Sequence, residues 1–271
     1  MGTDSELIAA IDVGSTKVCT ILARKSRGGF PEVVSYSVVP SFGVTKGNVV
    51  DVNATSQAIR RTMSEIRSDV GVDVKSAYVG ITGSHIGYEN RVDHFSDIGK
   101  QGVVTLDEIA KIPSMVSDGL KIPGRSIIHS LPIHYGVDGH DGIKNPVGMH
   151  VTGLEVTTHL ITADSYFADK LREAVTLSGI ELKSMILEPF ASSESILTQT
   201  EKDIGSAVVD IGGGTTDIVL FRNGSVVYTA VIPVGGFQFT NDISLTYNVE
   251  FPDAEEAKLR YGHTNLYAVD L

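Results

Sequence analysis

One short pattern occurs twice in this sequence, and it limits the architectures available. Asp12-Val-Gly-Ser-Thr-Lys and Asp210-Ile-Gly-Gly-Gly-Thr-Thr-Asp each lie between short apolar runs, residues 7–13 and 18–23 in the first copy, 207–211 and 217–221 in the second. Such runs broken by a small polar turn read as strand, turn, strand. Two copies of one supersecondary unit predict two related lobes, and the chain ends soon after the last helix of the second, so that lobe reads as incomplete.

Between the copies the period changes. Gly28-Gly29 marks a loop before a third strand at 33–39. Over 51–68, Val52, Ile59, Met63 and Ile66 recur on one helical face, and 75–82 returns to strand character. Residues 83–162 read as an inserted small α+β subdomain. Its helix at 106–120 contains Pro113 and so is expected to be kinked or split. Its strands at 125–135 and 154–162 flank a Gly-rich polar loop, 136–142. Then come an amphipathic helix at 164–179 capped by Asp164 or Ser165, a strand at 182–187 and a helix at 189–197 with Pro at its first turn. After the second repeat, Asn223-Gly224 suits a tight hairpin into 225–233. Helices follow at 237–247 and 252–261. The expected fold class is α/β, with residues 1–82 and 163–190 as the first lobe, 83–162 as the insert and 191–271 as a partial second lobe.

Composition narrows the function. With 22 Lys and Arg against 33 Asp and Glu the net charge is −11, which argues against a nucleic-acid binder that works by bulk electrostatics. The single cysteine, Cys19, permits no internal disulfide or zinc cluster and reads as a small buried hydrophobe. His129, His134, His140, His150 and His159 are spread over the insert without metal-ligand spacing. There is no basic segment before an apolar run at the start and no stretch near the ~20 apolar residues of a spanning helix, so a cytoplasmic chain is expected.

The two turns carry the chemistry. A phosphate needs many donors close together, and small residues let backbone N–H groups approach it. Gly14 and Gly212 to Gly214 meet that need, Ser15, Thr16, Thr215 and Thr216 add hydroxyls, and Lys17 adds a cation. Neither turn is a P-loop, because a strand follows each where a P-loop opens a helix. Asp12 and Asp210 hold equivalent places; with the lobes face to face, both carboxylates enter one cleft and can anchor magnesium through water. Asp217 is a further outer partner. Gly-rich turns beside Asp also serve plain hairpins, but two in register favour the phosphate reading.

These motifs resemble the phosphate motifs of the actin-like ATPase superfamily, whose lobes are ribonuclease H-like, and within it the FtsA family. Ile143-Lys-Asn-Pro-Val-Gly148 with His159-Leu-Ile-Thr162 resembles the insert of that family, Leu187-Glu-Pro-Phe-Ala-Ser-Ser193 its interlobe connection, and Val234-Gly-Gly-Phe with Thr240-Asn-Asp-Ile the segment after the second phosphate loop. The resemblance implies ATP and Mg2+ as ligands. Gly14, Ser15, Thr16 and Lys17 would hold phosphates from one lobe, and Gly212, Gly213, Gly214 and Thr215 from the other. Asp12 and Asp210 would hold the metal through water. Gly235 and Gly236 would lie near phosphate and ribose, and Glu255 and Lys258 would contact the nucleoside. Glu188 would orient the attacking water. Glu188 is equally well placed as a helix-start carboxylate, and Glu255 and Lys258 as a surface ion pair.

The implied function is an actin-like cell-division protein with at most slow Mg-dependent ATPase activity. In the full-length family it tethers the FtsZ ring to the cytoplasmic face of the inner membrane, recruits later division proteins and self-associates into filaments. The sequence departs from that pattern at its end. The rest of the second lobe, the later adenosine motif and the C-terminal membrane helix do not occur before Leu271, so the chain is expected to be truncated and to reach a membrane only through the missing helix. Two alternatives stay open: a PilM-like non-catalytic assembly adaptor, against which the 143–148 signature speaks, and an ATP-dependent phosphotransferase, for which no acceptor site is apparent. The Lys144-Asn145-Pro146 segment reads as a turn and also as a candidate partner surface.

Overall fold

The computed structural model describes residues 6–26, 29–99 and 102–265; the Gly28 of the expected loop lies outside the described residues. Strands β1 (Leu7–Val13), β2 (Lys17–Arg24) and β3 (Glu32–Pro40) form an antiparallel meander. A small hairpin of β4 (Val44–Thr45) and β5 (Asn48–Val49) turns through Lys46 and Gly47, both in the left-handed region. Helix α1 (Val52–Val70) starts where the Asp51 carboxylate accepts the Ala54 N–H at 3.0 Å, and ends at left-handed Gly71. Strand β6 (Ser76–Ile81) leads into β7 (Ile86–Phe95), α2 (Leu106–Asp118), β8 (Arg125–Val137), β9 (His140–Ile143) and β10 (Leu154–Asp164). Then come α3 (Ser165–Leu177), β11 (Glu181–Leu187), α4 (Glu188–Ile196), α5 (Gln199–Ile204), β12 (Ser206–Ile211), β13 (Thr216–Arg222), β14 (Ser225–Ile232), α6 (Gly236–Tyr247) and α7 (Phe251–Tyr261).

These elements build three main sheets. The first has the order β11-β6-β1-β2-β3, with β6 and β11 parallel to β1. Its odd positions in β1, Ala9, Ile11 and Val13, pack with Ile59 and Ile66 of α1 and with Ala168, Leu171 and Val175 of α3. Ile59 and Ile66 are fully buried, each contributing roughly 1.5–3 kcal/mol by leaving water. Strict alternation therefore turns Ala10 and Asp12 to the opposite face of the sheet. The second sheet, β7-β10-β8-β9, packs on α2 around Ile112, Val116, Leu154 and Leu160. The third, β12-β13-β14, buries Val208, Val219, Phe221 and Val226 against Phe190 of α4 and Leu131 of β8.

A seam joins the second sheet to the third. His159 is fully buried there; its Nδ1 bonds the Asn90 side chain at 2.6 Å and its Nε2 the Thr229 hydroxyl at 2.9 Å. Asn90 also donates to the Val227 carbonyl at 3.0 Å, and the Ser225 hydroxyl to the Ile133 carbonyl at 2.9 Å. Burial pushes His159 down to about 4, so the ring is neutral at neutral pH.

Several sequence expectations need correction. The Gly-rich stretch 136–142 is not an open loop: Asp138 and Gly139, both with positive φ, turn β8 into β9. The insert contains β7, which was not foreseen. Pro113 neither splits nor ends α2; the Thr105–Glu108 capping box starts the helix, and Ile112 and Val116 hold it on the sheet. Cys19 is half-buried, because its strand position faces the same side as Asp12 and not the core.

Candidate functional site

The two repeats fold alike, residue for residue. Asp12 pairs with Cys19 and Val13 with Val18 across the first turn; Asp210 pairs with Asp217 and Ile211 with Thr216 across the second. In each turn the glycine N–H closes on a carbonyl three residues on, Gly14 to Lys17 at 3.0 Å and Gly212 to Thr215 at 2.9 Å. Alternation along β1 and β12 then sends Asp12 and Asp210 the same way, and both line one cavity of about 270 Å³.

The turns face each other across the lobes. A Cβ on Gly214 would lie 2.7 Å from the Ser15 hydroxyl and 3.0 Å from the Lys46 backbone, and one on Gly213 would run into Thr16. The Ser15 hydroxyl accepts the Gly47 N–H at 3.1 Å, which ties the first turn to the β4–β5 hairpin. Gly235 and Gly236 close the second turn from behind. Gly236 N–H donates to Gly212 O at 2.9 Å and Phe237 N–H to Gly213 O at 2.8 Å. Lys258 reaches the same helix start, bonding Glu255 at 2.7 Å, the Thr240 hydroxyl at 2.9 Å and Gly236 O at 3.3 Å. Glu255 and Lys258 thus engage each other and the first turn of α6.

Glu188 lies in the same cavity as Asp12 and Asp210. Its chain rests on Gly80, where a Cβ would come within 3.0 Å of it, and its buried Oε1 has no hydrogen-bond partner. Burial, and then the carboxylates of Asp12, Asp217 and Asp210, raise its pKa well above the ordinary value of 4.5. Burial also raises Asp12, with Lys17 opposing and Asp210 reinforcing the shift. Asp217 is raised by burial although Thr82 and Thr215 both donate to it. Ser192 donates to Asp210 at 2.8 Å.

This cluster of like charges around small-residue turns suits a polyphosphate with a divalent cation. The cation would relieve the carboxylate repulsion, and the backbone N–H groups, hydroxyls and Lys17 would meet the phosphates. No three His, Cys, Asp or Glu side chains among the described residues converge into a direct metal site. The small-residue turns, hydroxyls and Lys17 suit phosphate oxygens, and the Asp12 and Asp210 carboxylates suit a hydrated cation.

Sequence reasoning did not find Thr82 or Ser192. Thr82 at the end of β6 bonds Asp217 across 135 residues, from the first lobe to the second, and no local pattern announces such a contact. Thr82→Val keeps the shape and removes the donor, leaving a buried carboxylate oxygen unpaired. We expect a loss of about 1–3 kcal/mol in urea unfolding. Unchanged stability would show that this bond does not tie the lobes.

Comparison with known proteins adds the family. A model described as "Cell division protein FtsA" matches residues 207–270, and one described as "SHS2 domain inserted in FTSA" matches residues 83–162, together more than half of the chain. Cell division protein FtsA of Pseudomonas aeruginosa is 34% identical over 263 residues, which cover 94% of this chain and 61% of that protein. The chain thus spans about 61% of the length of this curated relative. Among solved structures, the PilM-PilN type IV pilus biogenesis complex matches with a TM-score of 0.68 at 18% identity, covering 94% of this chain and 70% of the other. MreB5 of Spiroplasma citri bound to ADP matches with a TM-score of 0.51 at 15% identity, covering 98% and 65%. These structures share the fold, an actin-like α/β architecture, and the family model places the SHS2 insert at residues 83–162.

Proposed function

The chain belongs to the FtsA family of cell division proteins, and from that membership we propose that it binds ATP with Mg2+ between its lobes and acts in bacterial cell division. The observation that carries the nucleotide reading is the pair of equivalent turns set face to face, with Asp12, Asp210 and the unpartnered Glu188 around one cavity. Bound ATP and magnesium would supply a charged link between the lobes. Gly14 to Lys17 and Gly212 to Thr215 would donate to phosphate oxygens. Asp12 and Asp210 would hold metal-bound water. Glu188, held protonated until charge in the cavity is balanced, would then take a proton or orient water. Gly235 and Gly236 would shape the phosphate and ribose side, and Glu255 and Lys258 would reach the nucleoside if their present pairing opens.

Because the turns touch, a triphosphate can seat only if the lobes part. That motion is a natural switch for assembly, and slow turnover suits it. In the whole protein the partners would be FtsZ, later division proteins and further copies of itself, at the cytoplasmic face of the inner membrane. No helix among the described residues is long and apolar enough to cross a membrane.

Titration with a fluorescent ATP analogue tests the nucleotide reading. Saturable binding that ATP displaces and EDTA weakens is expected; no binding by a folded chain overturns it. A fluorescent fusion in the native cells tests the division reading separately. Septal enrichment is expected, and uniform fluorescence overturns it.

A further inference from the structure

On the far side of the seam lies a second cleft of about 370 Å³, lined by Asn90, His134, Lys144, Arg222 and Asn223 among others. It shares no lining residue with the cavity around Asp12. Its charge is opposite to that of the chain as a whole. Lys144 and Arg222 carry two positive charges into it, in a protein of net charge −11.

Among the described residues neither cation has a carboxylate partner. The Lys144 ammonium donates to Ile133 O at 3.4 Å and to the Ser225 hydroxyl at 3.2 Å. Those contacts use two of its three N–H bonds and fix it in place, with one donor left over. The Arg222 side chain makes no hydrogen bond or ion pair among the described residues, so its guanidinium fork is free. Arg91, on the strand that carries Asn90, by contrast holds Asp93 at 2.7 Å. Asp141 is paired with His134 Nε2 at 3.0 Å. Asn223, at the hairpin tip, adds an amide.

We propose that this cleft docks an acidic segment of a partner protein, with Arg222 taking a side-chain carboxylate through its fork and Lys144 supplying a second, fixed charge. A guanidinium matches a carboxylate in a two-bond geometry that an ammonium cannot offer. Lys144 comes from the insert and Arg222 from the third sheet, so the occupant would bridge the two. Its binding is independent of nucleotide.

The test uses the whole chain, 15N-labelled, titrated with a hexaglutamate peptide. The amide signals of Gly142, Lys144 and Asn223 should shift saturably. Arg222→Glu should weaken binding by about tenfold or more, because it reverses a charge that should contact the ligand. Arg222 is exposed and its side chain has no hydrogen bond or ion pair among the described residues, so this variant should keep the fold, which an unchanged amide spectrum elsewhere checks. Lys170→Glu on α3 makes the same change in net charge and should alter affinity less than twofold (about the spread of repeat titrations). Absent shifts, shifts scattered over other basic residues, or equal weakening by Lys170→Glu would each overturn the proposal. So would perturbation of these signals by phosphatidylglycerol vesicles but not by the peptide, which would assign the cleft to a lipid headgroup.

Discussion

Glu188→Gln should make the folded chain more stable at pH 8, and the gain should vanish toward pH 4. Burial, and then its acidic neighbours, raise the pKa of the wild-type carboxyl in the fold. Below about 4.5 both folded and unfolded chains carry that proton, and the group costs nothing. As pH rises, the unfolded chain ionises before the folded one, so over that window the folded state binds more protons and its stability falls. Glutamine has the same shape and never ionises, so it escapes that loss. Thermal melts of both proteins between pH 4 and pH 8 check it, and a gap that does not grow with pH would contradict it. The same variant should lose whatever ATP turnover the wild type has, by about 10²–10⁴-fold, if Glu188 is the group that takes the proton. A more stable but inactive chain is the pattern of a site that carries functional strain.

Gly235→Ala should weaken nucleotide binding by about tenfold or more and destabilise the fold by about 1–3 kcal/mol, while Gly236→Ala should cost less on both counts. The reason is space, not backbone freedom, since Gly235 has an extended φ of −154°. A Cβ there would sit 2.5 Å from Gly212 O and 2.7 Å from the Gly213 carbonyl. Both are backbone atoms of the second turn, pinned by the N–H groups of Gly236 and Phe237, and cannot swing aside. The start of α6 would have to lift off the turn and distort the donors that face a phosphate. At Gly236 the nearest atom is the flexible end of Lys258 at 3.5 Å. Binding isotherms and urea melts of the two variants side by side decide the matter. Equal effects would mean that the crowding is absorbed elsewhere.

The periodic parts of this chain could be read from its sequence, because their cause is local. Short apolar runs broken by small polar turns mark β1, β2, β12 and β13, and the Asn223-Gly224 pair marks the hairpin into β14. The Asp138-Gly139 pair carries the same left-handed signal, but β9 after it is short, mostly exposed and polar, so no strand pattern follows the turn. Strand β7 hides for a related reason. Its residues alternate between half-buried and exposed, so no apolar run marks it. Helix α5 has a readable sign, the Thr198–Glu201 capping box, but only six residues behind it. The site followed the same rule. The repeat predicts that Asp12 and Asp210 share a cleft, while the Thr82 bond to Asp217 depends on lobe docking and has no trace in either neighbourhood.

The seam sets a timetable for synthesis. The insert is complete at Asp164, but its companion strand β14 begins only at Ser225. A ribosome adding about 5–20 residues per second needs roughly 3–12 s to cover that distance. Until then His159 has Asn90 for one ring nitrogen and no Thr229 for the other. The nascent insert therefore passes through its first seconds with one polar flank open to water, and closes it only when the hairpin emerges.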